Sequence, residues 1–483
     1  MTGPLWLGID VGTSSVKVVL VDDADRPVAD AASPLRVDRP QPQWAEQDPE
    51  DWWLAAGAAL DRLAADHPAA MARVAGMGLS GQMLGVAAVD RHDRPLRPAI
   101  LWNDGRAARE GAMLERVVPG FAAITGSRPM AGFPAPKLLW LNFHEPDVLR
   151  RARHVLLPKD YLRWRLSGDA ASDRADASAT LLMDTAAGTW HPPILAACGI
   201  TADQLPRLVE CAEVTGHLRP ELARRWGLPV GLPIVGGAGD NMCGGVGAGV
   251  VTDGAAFVSL GTSGVYFVAN RDFQSSVGQG MHTHRHGVAG LFCQQAVILS
   301  AAAALTWVAD LLGADDVGRL VAEVEAAGIS SADTPVFTPY LAGERTPHDD
   351  PGLLAAFSGL SFATGRLHLV QAVMEGVALA LADCQDALAA TGAAVTGPIA
   401  LVGGGARSRL WARLVAAATG RPVSVAADAA VGPALGAARL ARAGAGGPLI
   451  GGAGELLFAA EPDASLAGAL AAKRDRYCAH PRR

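Results

Sequence analysis

Two stretches half a chain apart carry the same chemistry-bearing device. Leu7–Asp22 reads LGIDVGTSSVKVVLVD, and Phe257–Ala269 reads FVSLGTSGVYFVA. Each pattern predicts a β-hairpin with a tight turn, Gly12-Thr13-Ser14 in the first and Gly261-Thr262-Ser263 in the second. Glycine lets backbone N–H groups approach an anion closely, and the hydroxyls add further donors. One such turn is an ordinary hairpin. Two copies imply two related domains whose turns can face one nucleotide across a cleft.

Three further side chains fit that chemistry. Asp10, two residues before Gly12, would repel bound phosphates unless a divalent metal lay between, and magnesium takes few protein carboxylates beside its waters and phosphate oxygens. Lys17, on the returning strand, either offsets phosphate charge or is an exposed strand lysine. Asp240 follows Gly236-Gly237-Ala238-Gly239 and precedes Asn241, so its carboxylate is expected on a flexible small-residue turn. There it could take a proton from an attacking hydroxyl as a general base, or cap a turn.

Other motifs carry less. Gly76-Met77-Gly78-Leu79-Ser80-Gly81 matches the GxGxxG fingerprint, but the residues that follow alternate like a strand, whereas a dinucleotide site needs a helix there. No Gly-Lys pair occurs, so a P-loop is excluded. His282, His284 and His286 would share one strand face, as metal ligands can; with no neighbouring Cys or carboxylate they read as the polar face of a surface strand.

These side chains need a large scaffold. The chain has 483 residues, half of them apolar, which predicts at least two domains. Its net charge of −7 leaves no basic stripe for nucleic acid. The N-terminus enters a strand directly, without a basic and apolar leader, and no apolar run is long enough to span a membrane. Six scattered cysteines read as reduced thiols, and a cytoplasmic location follows.

In the first half a helix is expected from Glu50 to about Ala65, strands at Val74–Ser80 and Val86–Asp90, and helices at Pro136–Phe143 and Asp160–Leu166. The glycine-rich run Pro233–Gly249 reads as the hinge between halves. In the second half, Ala296–Ala309 reads as a buried helix and Pro339–Pro347 as a loop. A long helix at Leu367–Ala390 follows. Then come a strand at Ile399–Val402, glycines 403–405, a helix from Arg407, and a small-residue helix at Gly432–Arg442. A strand, a glycine turn and a helix form a phosphate-cradling arrangement. Beyond Arg442 the Ala/Gly-rich sequence is uninformative.

Taken in order, these segments resemble the FGGY carbohydrate kinases, and within that family the xylulokinases most closely. The resemblance runs from Leu5 to Arg442. It is carried by GIDVGTSSVK, the Trp44–Pro49 loop, Gly81-Gln82-Met83, ILWNDGR ending at Arg106, LLPKDYLR ending at Arg163 and Gly239-Asp240-Asn241. SLGTSGVYF, PYLAGERTPH, LVGGGARS and VGPALGAARLA complete it. It implies an α/β protein of two ribonuclease-H-like domains, of the actin/hexokinase/Hsp70 superfamily, around an interdomain cleft. The expected extents are 5–245 for a sugar-binding domain, 254–442 for an ATP-binding domain and 443–483 for a C-terminal extension.

The resemblance implies that Asp240 is the general base and that Asp10 organises ATP and Mg2+. Gly12, Thr13, Ser14 and Lys17 would serve the nucleotide together with Gly261, Thr262 and Ser263 at its terminal phosphates. Gly404, Gly405 and Ala406 would flank the adenosine. Gln82, Met83, Leu84, Trp102, Asn103, Asp104, Asp240 and Asn241 would line the sugar pocket. The expected reaction is phosphorylation of a ketopentose, D-xylulose at O5, with L-ribulose or a tetritol as the nearest alternative. A nucleotide switch of the actin or chaperone type is the alternative from another class. Partners are the sugar and ATP, with no nucleic acid or membrane; a homodimer is left open. One position departs from the pattern: xylulokinases place His after the Gln-Met pair, and here Leu84 stands.

Overall fold

The computed structural model describes residues 3–275, 278–427, 432–451 and 455–479. In the first half the chain forms β1 (Leu5–Val11), β2 (Ser15–Val21), β3 (Pro27–Pro34), α1 (Pro49–Asp66) and β4 (Val74–Gly81). Then come α2 (Pro134–His144), α3 (Pro158–Ser167), β5 (Val214–His217), β6 (Pro233–Val235), β7 (Ala238–Gly239) and α4 (Asp240–Gly247). The second half opens with β8 (Ala256–Leu260), β9 (Gly264–Asn270), β10 (His282–Arg285), β11 (Phe292–Ile298), α5 (Ala302–Leu311) and α6 (Arg366–Ala390). It continues with β12 (Ile399–Val402), α7 (Arg409–Thr419), β13 (Val423–Ala426), α8 (Gly432–Gly444), β14 (Leu456–Ala460) and α9 (Ala464–Cys478).

The two large sheets repeat one plan. The first has the order β5-β6-β4-β1-β2-β3 and the second β10-β11-β9-β8-β12-β13-β14. In the first, β1 runs antiparallel to β2 and β2 to β3, while β4 is parallel to β1 and β6 to β4. In the second, β8 runs antiparallel to β9 and β9 to β11, while β12 is parallel to β8 and β13 to β12. Both hairpins read from the Gly-Thr-Ser repeats therefore exist, each at the centre of its own sheet.

Local signals explain most boundaries. Asp48 caps α1 by accepting from the Glu50 N–H at 2.9 Å, with Pro49 in the first turn, and Trp52, Ala56, Leu60 and Leu63 face the core. α6 is long and apolar enough to cross a membrane by composition, but its residues are mostly buried in the second domain's core. The cysteines are free thiols, five of them buried.

Four expectations are corrected. Ala296–Ala309 is not one helix: β11 continues to Ile298 as a core strand, and α5 begins at Ala302. A short apolar run does not distinguish a central strand from a buried helix. Pro233–Gly249, expected to carry a flexible small-residue turn, forms β6, β7 and α4 instead. Several of its glycines serve close packing: a Cβ on Gly237 would sit 1.9 Å from the Leu79 carbonyl oxygen, and one on Gly247 2.0 Å from that of Gly432. The residues beyond Arg442 include β14, paired with β13, and α9, so the expected extension completes the second sheet. The histidines, finally, are buried. The first domain covers β10: Thr283 N–H donates to the Gly126 carbonyl at 2.9 Å and Arg285 N–H to Ser178 Oγ at 2.9 Å. Burial pushes His284 down to about 3 and His286 to about 4, so both are neutral.

The helix expected at Gly432–Arg442 forms as α8, but on the first sheet. It lies on β1 and β4, where a Cβ on Gly8 would meet the Ala434 carbonyl oxygen at 1.9 Å and one on Gly78 that of Ala437 at 1.9 Å. The GxGxxG match thus records helix-on-strand packing. α4 and α8 lie side by side, and their core joins Trp6, Val19 and Val21 of the first sheet to Phe257 and Phe267 of the second.

Candidate active site

The parallel strands of the first sheet bring the candidate acid–base residues to one edge. Asp10 on β1 stands beside Ser80 on β4, and Ser80 beside Ala238 on β7, so Asp240 follows at the strands' carboxyl ends. In open α/β sheets that edge is where ligands bind. Lys17 lies directly across the hairpin from Asp10. The Ser80 hydroxyl donates to Asp10 Oδ1 at 2.8 Å, fixing the carboxylate. Crowding by the protein raises the Asp10 pKa, and Ser80 and the Lys17 charge partly offset this.

Asp240 occupies the first turn of α4, not a loose turn, and accepts from the Asn241 N–H at 2.7 Å. Burial raises its pKa, the negative charge of Asp10 adds to this, and the Asn241 N–H opposes it; the result is about 7. A carboxylate poised there can accept a proton at neutral pH. Asn241 Nδ2 donates to Gln295 Oε1 at 3.0 Å, a link from α4 to the second sheet.

Both halves line one cavity of about 510 Å³. Lys17, Asp240, Asn241 and Gly244 form one wall, while Ser259, Gly403, Gly404, Ala406, Val425 and Ala426 form the other. Gly405 is turned away from it, since its missing Cβ points at Leu260 and Trp411, each 2.8 Å distant. The second Gly-Thr-Ser turn abuts this wall: Gly403, at φ 91°, packs on the Leu260 carbonyl and the Gly261 N–H. The carbonyls of Gly261 and Thr262 accept from Ala302 and Ala301 N–H at 2.8 and 3.0 Å, seating the turn on the start of α5.

The first turn faces the other way. Thr13 Oγ1 donates to Gln82 Oε1 at 3.0 Å and accepts from Trp102 Nε1 at 3.0 Å, so its hydroxyl is tied to the Gln82 and Trp102 side chains. Gln82 is buried, and its amide donates to Gln47 Oε1 at 2.7 Å, which leaves it a scaffold member. Asp104 likewise offers no open carboxylate: it accepts from Ala45 N–H at 2.7 Å and from Arg106 Nε and Nη2 at 2.8 and 2.7 Å. Trp102 is 48% exposed, whereas Asn103 Oδ1 is buried and accepts no hydrogen bond from the described residues. Met83 packs on Gly239, immediately before Asp240.

Three features escaped sequence reasoning. Ser80 was legible only through strand register, as the neighbour of Asp10. Gln47 donates to the Thr13 and Arg36 carbonyls at 2.8 and 2.9 Å, although its Trp44–Pro49 loop stood out only by the family resemblance. Behind Gly239 lies a fully buried cluster in which Lys159 Nζ meets Asp160 at 2.6 Å, Asp173 at 2.5 Å and Asp176 at 3.4 Å. Burial alone would strip the Lys159 proton, yet the three carboxylates hold its pKa above the ordinary lysine value. Among the described residues no group of three His, Cys, Asp or Glu side chains forms a metal cage.

Comparison with known proteins agrees with this architecture. The chain is 45% identical to a xylulose kinase of Escherichia coli (strain K12) over 438 residues, covering 91% of this chain and 90% of that one. It is 34% identical to a Bacillus subtilis xylulose kinase over 446 residues, covering 91% and 88%. Among solved structures, a "xyloylose kinase" of Brucella ovis superposes with a TM-score of 0.94 at 42% identity, covering 98% of each chain. Residues 5–247 match the N-terminal domain of the FGGY family of carbohydrate kinases and residues 256–445 its C-terminal domain, and the chain belongs to that family.

Proposed function

We propose that the chain transfers the γ-phosphoryl group of ATP to O5 of D-xylulose, with Asp240 as the general base. The observation that carries this reading is Asp240 itself: a carboxylate raised to about 7, on the wall of a cavity lined by both halves. Phosphoryl transfer asks the protein chiefly for positioning and charge neutralisation. Asp240 accepts the hydroxyl proton, the exposed Trp102 meets the sugar, and Lys17, on the same cavity as Asp240, faces the phosphates. The glycines at 403 and 404 let the nucleotide approach the backbone, where a side chain would intrude.

Asp10 fits a magnesium ion: a carboxylate with one oxygen held by Ser80, outside any cluster of three acidic, His or Cys side chains among the described residues, suits a metal that keeps waters and phosphate oxygens. The ion would neutralise phosphate charge. Asp10 itself orients that charge and raises the basicity of Asp240. The nucleotide-switch alternative lacks support, because the chain is 45% identical over 438 residues to a protein named xylulose kinase.

The sugar assignment rests on the 45% identity to a protein named xylulose kinase and on the pocket residues held in common with the family pattern. Coupled ADP release over a panel of pentuloses, hexuloses and polyols tests it. D-xylulose should rank first. Another sugar ahead by about tenfold in kcat/KM, equivalent to about 1.4 kcal/mol of transition-state preference, overturns the substrate and leaves the kinase intact.

A further inference from the structure

Leu84 has φ 69°. A bulky residue takes that left-handed backbone only where its surroundings enforce it, and such positions gather at functional sites. The enforcing contact comes from α2. Lys137 Nζ donates to the Leu84 carbonyl at 2.8 Å and to the Ile100 carbonyl at 3.3 Å. Lys137 is fully buried, an expensive place for an ammonium whose two hydrogen bonds go to main-chain oxygens. Burial drives its pKa well below the lysine value, the Asp104 charge partly restoring it.

The corner so held leads directly to the candidate base. The Leu84 side chain packs between two apolar clusters, one containing Met83 and Met242, the other Ile100 and Phe133. Met83 in turn fills the space over Gly239: a Cβ there would lie 2.6 Å from Met83 Cγ, so the two cannot shift independently. A displacement at Leu84 therefore reaches the Gly239–Asp240 step through a single side chain.

We propose that Lys137 is a positioning residue for the sugar pocket. By pinning the Leu84 carbonyl it keeps the Gln82–Met83–Leu84 corner left-handed, and so sets where the acceptor sugar lies against Asp240. This rests on the kinase reading above. A lysine serving only to bridge α2 to Ile100 would stabilise the fold without touching sugar affinity, which makes the two roles separable.

The test is a cycle between Lys137→Met and Leu84→Asn, each measured on the ketose that the wild type prefers. A wrong sugar assignment thus leaves the comparison intact. Asparagine adopts left-handed backbone readily, so it needs no clamp. Lys137→Met should raise the sugar KM by about tenfold while the ATP KM stays within about twofold. In the Leu84→Asn background the same change should cost about twofold or less, a coupling that only an interaction through residue 84 produces. A sugar KM within twofold of wild type for Lys137→Met overturns the proposal, and so does an equal penalty in both backgrounds. If Lys137→Met fails to fold, Leu84→Asn/Lys137→Met against Leu84→Asn decides: near-equal sugar KM values support the clamp, and a tenfold gap refutes it.

Discussion

The negative charge of Asp10 raises the proton affinity of Asp240, and Ser80 holds the Asp10 carboxylate in place with a 2.8 Å hydrogen bond. The two acids thus divide the work by environment. Asp10 is held by Ser80, while Asp240, raised to about 7, can take up a proton near neutral pH.

The pH profile should report this directly. Asp240 works as a base only when ionised, and its pKa is about 7. Below that value kcat/KM should fall about tenfold per pH unit; above it the curve should flatten until other groups titrate. A profile flat down to pH 5 would remove Asp240 from the proton-transfer step.

Asp240→Asn keeps shape and hydrogen bonding but cannot accept the proton. The expected loss in kcat is about two to four orders of magnitude, with ATP affinity, measured by equilibrium titration, largely kept.

Ser80→Ala removes the side-chain hydrogen bond that orients Asp10. A bond to a charged group is worth about 1.5–3 kcal/mol, so kcat should drop about ten- to hundredfold. Because Asp10 is assigned to the metal and phosphates, the magnesium requirement should rise while the sugar KM changes little. An unchanged magnesium dependence would detach Asp10 from that role.

Leu84→His would place an imidazole where the family pattern has one. Histidine tolerates left-handed backbone better than leucine, so φ 69° is no obstacle. One added hydrogen bond to a sugar hydroxyl, about 1 kcal/mol, should raise kcat/KM for D-xylulose several-fold. No gain would mean that the sugar turns no hydroxyl toward residue 84.

Gly78→Ala tests the packing account of the glycine motif. The added Cβ would lie 1.9 Å from the Ala437 carbonyl oxygen, so α8 must move off the sheet. Overpacking of this kind costs about 1–3 kcal/mol or more, and the melting temperature should fall by several degrees.

Local sequence carried much of this molecule. The hairpin turns, the bodies of α1, α2 and α3 and the acid at Asp240 were all legible, because each depends on residues close in sequence. What was not legible depends on strand register and on approach between distant segments. Ser80 matters because β4 pairs in register with β1, and Gly78 because α8 arrives from more than 350 positions away. The side chains of Asp104 and Gln82 looked like ligand contacts by motif, yet Arg106 and Gln47 had already taken their hydrogen bonds. His282 and His284 read as a wet surface, because nothing in their own strand announces that Phe133 and Ser127 of the other domain cover them.

The placement of α8 bears on how this chain can be divided. Its sequence lies beyond β13, deep in the second half, yet it roofs β1 and β4 and grips Asp25 through Arg439 and Arg442 at 3.0 and 2.6 Å. A fragment ending near residue 250 would carry a sheet with an open apolar trough and a buried acid stripped of both cations. The remainder would carry a helix with no floor. Neither piece is expected to fold by itself: the first sheet is roofed only once α8 has been synthesised, and split halves should regain activity only when combined.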